Sequence, residues 1–379
     1  MVDSQHSNPP TPFTEYGIPI GNLWRMLLYA WNEVPLHALR GWAMETVDVE
    51  HAPTLDSLLA SILIALMQQR LRIGLGHDYV EQTQKLAGVH GRIQFAPSLK
   101  QRTLDRGQLI CTFHGYSANS TKNQIIRSTL ARLIQVGRFG PETATVRETH
   151  PLRKLRRLVR DLDGIDFIEL TPDLTRRQLL QRHDHDYRLM LAVCDLIVQR
   201  QLPAESGSRT AVVPALDRER LVLYNIYERF VANFYHLHLT DWEVSAQKRL
   251  EWHASEASEH LPLMIPDLVL RETRQGSNRL LVLDTKFTAG PLVENRWGKP
   301  IYDSAHLYQL YAYLKSQENV SDAHRTAVGI LLYPALQQMP SEKIQLQDHV
   351  IRIETVDLAA PWQEIEEQLM GILMPLSHL

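Results

Sequence analysis

The sequence predicts an α/β chain of the α+β kind, in which an N-terminal domain of mixed helices and strands precedes a C-terminal core ordered α-β-β-β-α-β. Three observations carry this. A helical apolar pattern from Leu221 to about His238 runs directly into strand-like segments. Two short apolar runs, Leu268-Val269-Leu270 and Leu280-Leu281-Val282-Leu283, flank Gln275-Gly276-Ser277-Asn278 and read as a β-hairpin. A second helical stretch, Ser304 to Leu314, is followed by a continuous apolar strand from Ala327 to Tyr333.

Taken in order, residues 1–16 are polar and proline-rich and read as a flexible start. Ile20, Leu23, Trp24, Leu27, Leu28 and Trp31 recur at helical spacing, with Asn22 read as the cap. Leu55, Leu58, Leu59, Ile62, Leu63 and Leu66 mark a second helix behind Thr54. A strand-rich stretch with Gly88, Gly91 and Gly107 runs from Tyr79 to Tyr116, and a third helix from Ile125 to Val136 stops at Gly137. Further helices are expected over Arg153–Arg160 and Tyr187–Gln199. Pro203, Gly207 and Pro214 then break the pattern, which sets an N-terminal domain at 17–205 and a C-terminal domain at 214–379. In the latter, Leu221, Tyr224, Tyr227, Val231 and Phe234 form one helical face. A strand follows over Trp242–Trp252, then the hairpin (Ile265–Leu270, Leu280–Phe287), a strand over Val350–Val356 and a terminal helix over Trp362–Leu373.

The hairpin carries the chemistry. Pro266-Asp267 opens its first strand, and the second ends in Asp284-Thr285-Lys286. With a side-chain period of two, Asp284 and Lys286 project from one face. Acids and an ammonium converging at a strand end suit a magnesium-dependent phosphodiesterase, with the carboxylates on the cation and the lysine near the attacking water. The pattern is similar to the PD-(D/E)XK nuclease core. Asp after Pro also starts ordinary turns, and a D-x-K is often only a solvated strand end, so the surroundings decide. Glu228 sits on the flank of the Leu221–His238 helix and, being a carboxylate turned toward a core, needs a partner. Gln309 and Tyr313, four apart, present an amide and a phenol on one helix face. Three acids gathered without a cation would repel one another, so Asp267, Asp284 and Glu228 make sense as metal ligands with Lys286 beside them. The resemblance to nuclease branches in which a Q-x-x-x-Y follows the D-x-K implies that Gln309 supports the catalytic set.

Composition narrows the alternatives. The chain has 379 residues, 44% hydrophobic and 22% charged, which excludes disordered and fibrous classes. Two cysteines, Cys111 and Cys194, lie in apolar segments and fit core thiols in a reducing, cytoplasmic setting rather than disulfides or zinc. No segment approaches a membrane span. A net charge of -3 argues that something besides this chain grips DNA. The basic run Arg147, Arg153, Lys154, Arg156, Arg157, Arg160 reads first as a solvated helix face. His183-Asp184-His185-Asp186 reads as a polar loop. There is no G-x-x-x-x-G-K-[ST], so any nucleotide is handled by another chain. The stretch around Gly88 to Arg106, with Arg92, Lys100, Arg102 and Arg106, carries more glycine and charge than a core sheet needs. It is expected to project as a hairpin or loop toward a partner.

Five stretches carry a resemblance: Ile18-Pro19-Ile20-Gly21-Asn22-Leu23-Trp24-Arg25-Met26-Leu27-Leu28-Tyr29-Ala30-Trp31, Gly91-Arg92-Ile93-Gln94-Phe95, Asn123-Gln124-Ile125-Ile126-Arg127-Ser128-Thr129-Leu130, Asp284-Thr285-Lys286 and Leu307-Tyr308-Gln309-Leu310. Together they resemble the McrC family, nuclease subunits of modification-dependent restriction systems. The resemblance implies a C-terminal PD-(D/E)XK endonuclease domain using Mg2+. It also implies an N-terminal domain docking on a McrB-type AAA+ GTPase hexamer that binds GTP and recognises modified cytosine in double-stranded DNA, and self-association through the nuclease domain. A catalytically silent activator of such a ring is the alternative, against which the intact Asp267, Asp284 and Lys286 stand.

Overall fold

The computed structural model describes residues 17–31, 52, 54–139, 150–176, 185–201, 215–253, 260–274, 276–288, 290–335 and 341–373. The chain divides into two compact units, residues 1–54 with 213–379, and residues 55–212. The flexible start at 1–16 lies outside the described residues.

In chain order the elements are α1 (Ile20–Ala30), α2 (Leu55–Ile73), β1 (Asp78–Leu86), β2 (Arg92–Ile93), α3 (Phe95–Lys100), a 3-10 turn (Leu104–Arg106), β3 (Leu109–Ser117), α4 (Thr121–Val136), α5 (Pro151–Asp161), α6 (Pro172–Arg176), α7 (His185–Gln201), α8 (Ala215–His238), β4 (Trp242–Ala246), β5 (Leu268–Glu272), β6 (Leu280–Thr285), β7 (Leu292–Glu294), β8 (Pro300–Tyr302), α9 (Ser304–Gln317), α10 (Asp322–Arg325), β9 (Val328–Ala335), β10 (Glu342–Leu346), β11 (His349–Asp357) and α11 (Trp362–Leu373).

In the unit spanning 55–212, α2, α4, α5 and α7 pack together, burying Leu58, Leu63, Ile126, Leu130, Leu155, Met190 and Ile197. The basic run behaves as a helix face: α5 buries Leu155 and Leu158 while Arg153, Arg156, Arg157 and Arg160 stay exposed, and Arg157 pairs with Asp161 at 3.7 Å. Arg147 lies outside the described residues, as do His183 and Asp184, while His185 begins α7. Beside the helices stands a sheet in the order β1-β3-β2, its two long strands paired antiparallel from Asp78–Ser117 to Leu86–Leu109. Of those two strands only Ile110, Cys111 and Thr112 are buried.

The other unit is built on a six-stranded mixed sheet ordered β10-β11-β9-β6-β5-β4, with β6, β9 and β11 parallel and the rest antiparallel. Alternation sends Leu280, Val282, Leu331, Tyr333, Ile351 and Ile353 to one face, where α9 covers them with Leu310, Tyr313 and Leu314. The opposite face meets α8 and α11: Tyr227 packs against Phe287, and the Tyr235 hydroxyl donates to the Leu369 carbonyl at 2.8 Å.

Two expectations need correction here. The first helix does not belong with the 17–205 segment. It packs on α8, with Tyr29 against Phe230 and Phe234, so it belongs with the unit that holds the six-stranded sheet. Asn22 is not its cap. Pro19 occupies that position, while the Asn22 amide donates to the Leu358 and Ala360 carbonyls at 2.9 Å each. That second partner also explains α8, whose Leu221 is exposed whereas Leu223, Ile226, Phe230 and Val231 are buried. A helix covered on two sides has no single apolar stripe.

Candidate functional site

The site forms where β5 and β6 end. Leu268 pairs with Leu283, so Asp267 falls opposite Asp284 one step further along the same antiparallel ladder. Both carboxylates are buried, Asp267 with 9% and Asp284 with 2% of its surface exposed. Burial pushes both upward, Asp284 from 3.8 to about 6, helped by the charge of Asp267 and opposed by Lys286. Asp267 is partly relieved because its Oδ2 accepts from the Thr285 amide at 2.7 Å and the Thr285 hydroxyl at 2.6 Å. Thr285 is wholly buried.

Lys286 continues the edge of β6, its amide bonded to the Leu332 carbonyl at 2.9 Å. Its ammonium forms an ion pair with Asp284 and donates to Gln309 Oε1 at 2.7 Å. Gln309 Nε2 in turn donates to the Tyr313 hydroxyl at 2.8 Å, which reaches the Ile265 carbonyl at 3.3 Å. The i,i+4 spacing on α9 thus becomes a relay that fixes the lysine between Asp284 and the helix.

Glu228 approaches from α8 but is held apart. Its carboxylate accepts from Gln247 Nε2 at 2.6 Å, and the Gln247 amide bonds the Asp267 carbonyl at 2.9 Å. Burial and the charge of Asp267 raise Glu228, so it feels the pair without joining it. Among the described residues no three His, Cys, Asp or Glu side chains are gathered as a metal cluster, while the charge of Glu228 still reaches Asp284 and that of Asp267 reaches Glu228.

The two aspartates fit a hard divalent cation by their chemistry. They are oxygen donors, mutually repelling and poorly solvated, and Asp284 Oδ2 is buried and, its ion pair with Lys286 apart, accepts no hydrogen bond. A cation that keeps several waters needs only one or two carboxylates.

Three neighbours were not read from the sequence as part of the site. Tyr224, half-buried, has its phenol raised by burial and by Asp267, Glu228 and Asp284, which puts it at the same acidic focus. His306 Nδ1 lies 3.0 Å from the Tyr333 hydroxyl, and its imidazole is lowered by burial and by the Lys286 charge. The position between Asp284 and Lys286 reads as a spacer in a D-x-K pattern, yet Thr285 does most to hold Asp267. Only the i,i+3 relation of His306 to Gln309 could have pointed to the histidine.

The expected partner-facing residues lie in the other unit. Arg92 is exposed on β2, Lys100 ends α3, Arg102 has a positive φ of 49°, and Arg106 closes the 3-10 turn. The segment is not a bare hairpin or loop. The Ser98 hydroxyl donates to the Gln94 carbonyl at 2.7 Å and accepts from the Ile110 amide at 2.9 Å, which folds α3 down on β3. Gly91, at φ 66°, lets β2 approach: a Cβ there would stand 2.5 Å from the Thr112 carbonyl oxygen. Phe95, Leu99 and Leu104 are exposed beside the basic side chains.

Fold and site together define a mixed α/β protein with an acidic oxygen-donor site and an ammonium fixed beside it. The family model described as McrBC 5-methylcytosine restriction system component matches residues 21–334, and the chain belongs to that family. It is 27% identical over 360 residues to the Type IV methyl-directed restriction enzyme EcoKMcrBC of Escherichia coli (strain K12), covering 94% of this chain and 97% of that protein. Two solved structures are similar. One is a refined half-complex from the tetradecameric assembly of Thermococcus gammatolerans McrB AAA+ hexamers with bound McrC, at 17% identity, TM-score 0.49, and coverage of 94% of this chain and 76% of that one. The other is the cryo-EM structure of the Thermococcus gammatolerans McrBC complex, at 17% identity, TM-score 0.36, and 57% of each chain. No helix among the described residues is long and apolar enough to cross a membrane.

Proposed function

We propose that this chain is the endonuclease subunit of a methylcytosine-directed restriction complex, hydrolysing DNA phosphodiester bonds with Mg2+ at a PD-(D/E)XK core. The observation that carries this is the facing, buried pair Asp267 and Asp284 with Lys286 locked beside it. Such a pair is costly to ionise in an empty site and is relieved by a cation. Asp267 and Asp284 would hold the ion, and Glu228 stands close enough to bear on its charge. When bound, Mg2+ supplies Lewis-acid stabilisation of charge developing on the phosphate.

The chain's own residues do the rest. Thr285 opposes the upward push of burial on Asp267 by donating twice to one oxygen. Lys286, oriented by Gln309 and Tyr313, presents an ammonium that orients the attacking water and offsets negative charge as it grows.

For the second half of the proposal, the segment bearing Arg92, Lys100, Arg102 and Arg106 docks on a McrB-type AAA+ GTPase ring and stimulates its GTP hydrolysis. The ring, not this chain, binds GTP and selects modified cytosine. The exposed cations interleaved with Phe95, Leu99 and Leu104 support a protein-facing surface, because such residues form a basic rim around apolar anchors. The test is reconstitution of the full chain with its AAA+ partner, GTP, Mg2+ and methylated DNA. Cleavage is expected in Mg2+ and near-absence of cleavage in Ca2+, whose looser coordination holds the reacting oxygens less firmly. Equal rates in the two metals, or cleavage by the partner alone, would remove the assignment.

A further inference from the structure

Between Lys286 and α9 the chain leaves the six-stranded sheet and forms a separate antiparallel ribbon, β7 and β8, paired Leu292–Tyr302, Val293–Ile301 and Glu294–Pro300. Its root is anchored. Phe287 is buried against Tyr227, the Tyr302 hydroxyl bonds Glu342, and Asp303 caps α9 through a 2.8 Å bond to the Ala305 amide. Both ends therefore sit within a few residues of Lys286, His306 and Gln309.

Its tip is built with care. Asn295 Oδ1 accepts from the Trp297 amide at 2.9 Å and the Lys299 amide at 3.0 Å. The Asn295 amide bonds the Lys299 carbonyl, and Gly298 takes a positive φ of 73°. This fixed turn holds outward a Trp297 that is 72% exposed, with the Arg296 guanidinium stacked 3.9 Å over its ring. Leu292, Val293 and Ile301 are exposed along the strands. A two-stranded ribbon with apolar side chains open to water is marginal alone, so it needs a surface to meet.

We propose that this ribbon is a DNA-contacting arm of the cleavage site, with the Arg296-Trp297 tip seated against the groove of the duplex beside the phosphate addressed by Asp267 and Asp284. The inference rests on the nuclease reading. Three features select DNA as the occupant. The arm grows from the same segment that carries Lys286. Its tip bears Arg296 and Lys299 against one acid, Glu294. A stacked guanidinium and indole form a flat cationic wedge of the kind that enters or unstacks base steps. Three to four residues of strand reach roughly 10–13 Å, enough to span from a backbone contact to the neighbouring groove.

The test uses the full chain with its AAA+ partner, GTP, Mg2+ and methylated duplex, together with fluorescence anisotropy of a labelled duplex in Ca2+. Trp297→Ala and the pair Arg296→Ala with Lys299→Ala are expected to weaken duplex binding and single-turnover cleavage by about tenfold, the scale of one lost stacking contact. Trp297→Tyr should recover most of that loss, and GTP hydrolysis should stay unchanged. Wild-type cleavage by Trp297→Ala, with Asp284→Ala inactive, would overturn the arm and leave the nuclease reading intact. Absence of both binding and cleavage in the wild type would remove both. A shift from dimer to monomer on sedimentation of Trp297→Ala, with duplex binding unchanged, would overturn the proposal by making the ribbon a self-association element.

Discussion

Replacing Asp284 by Asn should stabilise the metal-free chain, and by an amount that depends on pH. The folded environment raises Asp284 from 3.8 to about 6 through burial and the charge of Asp267, even with Lys286 pulling the other way. A raised carboxylate means the native state binds the proton more tightly than the unfolded chain does. Stability is therefore fully present below pH 3.8 and declines as pH rises toward 6, above which the loss is complete. The shift corresponds to about 3 kcal/mol, a large share of a domain's net stability. Asp284→Asn removes this titration, so wild type and variant should differ little near pH 4 and diverge by up to about 3 kcal/mol at pH 7.5, with the variant more stable. All seven tryptophans lie in the unit formed by 1–54 and 213–379, so urea unfolding followed by tryptophan fluorescence in EDTA reports that unit. A pH-independent difference, or a less stable variant at pH 7.5, would refute the reasoning.

Thr285→Val, nearly isosteric, deletes one of the two donors to Asp267. That raises Asp267 further, so the acid limb of the cleavage pH profile should move to higher pH and activity should recover on the alkaline side. An unmoved profile would show that the hydroxyl does not tune the acid. Gln309→Leu frees Lys286 from the helix and should lower kcat about tenfold with little change in KM, because the lysine loses its fixed position rather than its charge. Since Gln309 is exposed, stability should move by no more than about 0.5 kcal/mol. Arg92→Ala with Arg102→Ala and Arg106→Ala should cut stimulation of partner GTP hydrolysis several-fold while leaving the melting temperature unchanged. Full stimulation would move the docking surface elsewhere, with α5 the next candidate.

The elements around the acids were legible because periodicity and burial agree there. Leu280–Leu283 is apolar throughout and is buried on both faces, as a strand flanked by neighbours and helices must be. The Gln309–Tyr313 pairing was legible because four residues make one helical turn, whereas the bond from Lys286 to Gln309 joins residues far apart in sequence. What was not legible depends on partners distant in sequence. β10, Glu342–Leu346, is a charged edge strand whose pairing with β11 supplies what its composition lacks. β7 and β8 are three residues each, Leu292–Glu294 and Pro300–Tyr302, too short to show a period of their own. The strand expected over Trp242–Trp252 stops at Ala246, since Gln247 turns to a positive φ of 46° and spends its side chain on Glu228. Glu228 was expected near the aspartates because a carboxylate on the flank of an apolar helical face needs a partner, and nothing in spacing reveals Gln247 as one of its partners.

The central claim is that phosphodiester hydrolysis depends on Asp267, Asp284 and Lys286, while partner activation depends on a different surface. The most direct measurement places Asp284→Ala beside wild type in the reconstituted complex and records DNA cleavage and GTP hydrolysis in the same sample. Cleavage should fall by orders of magnitude, since a lost carboxylate removes a ligand of the cation on which charge stabilisation rests, and GTP hydrolysis should remain near normal. Undiminished cutting by Asp284→Ala would contradict the account.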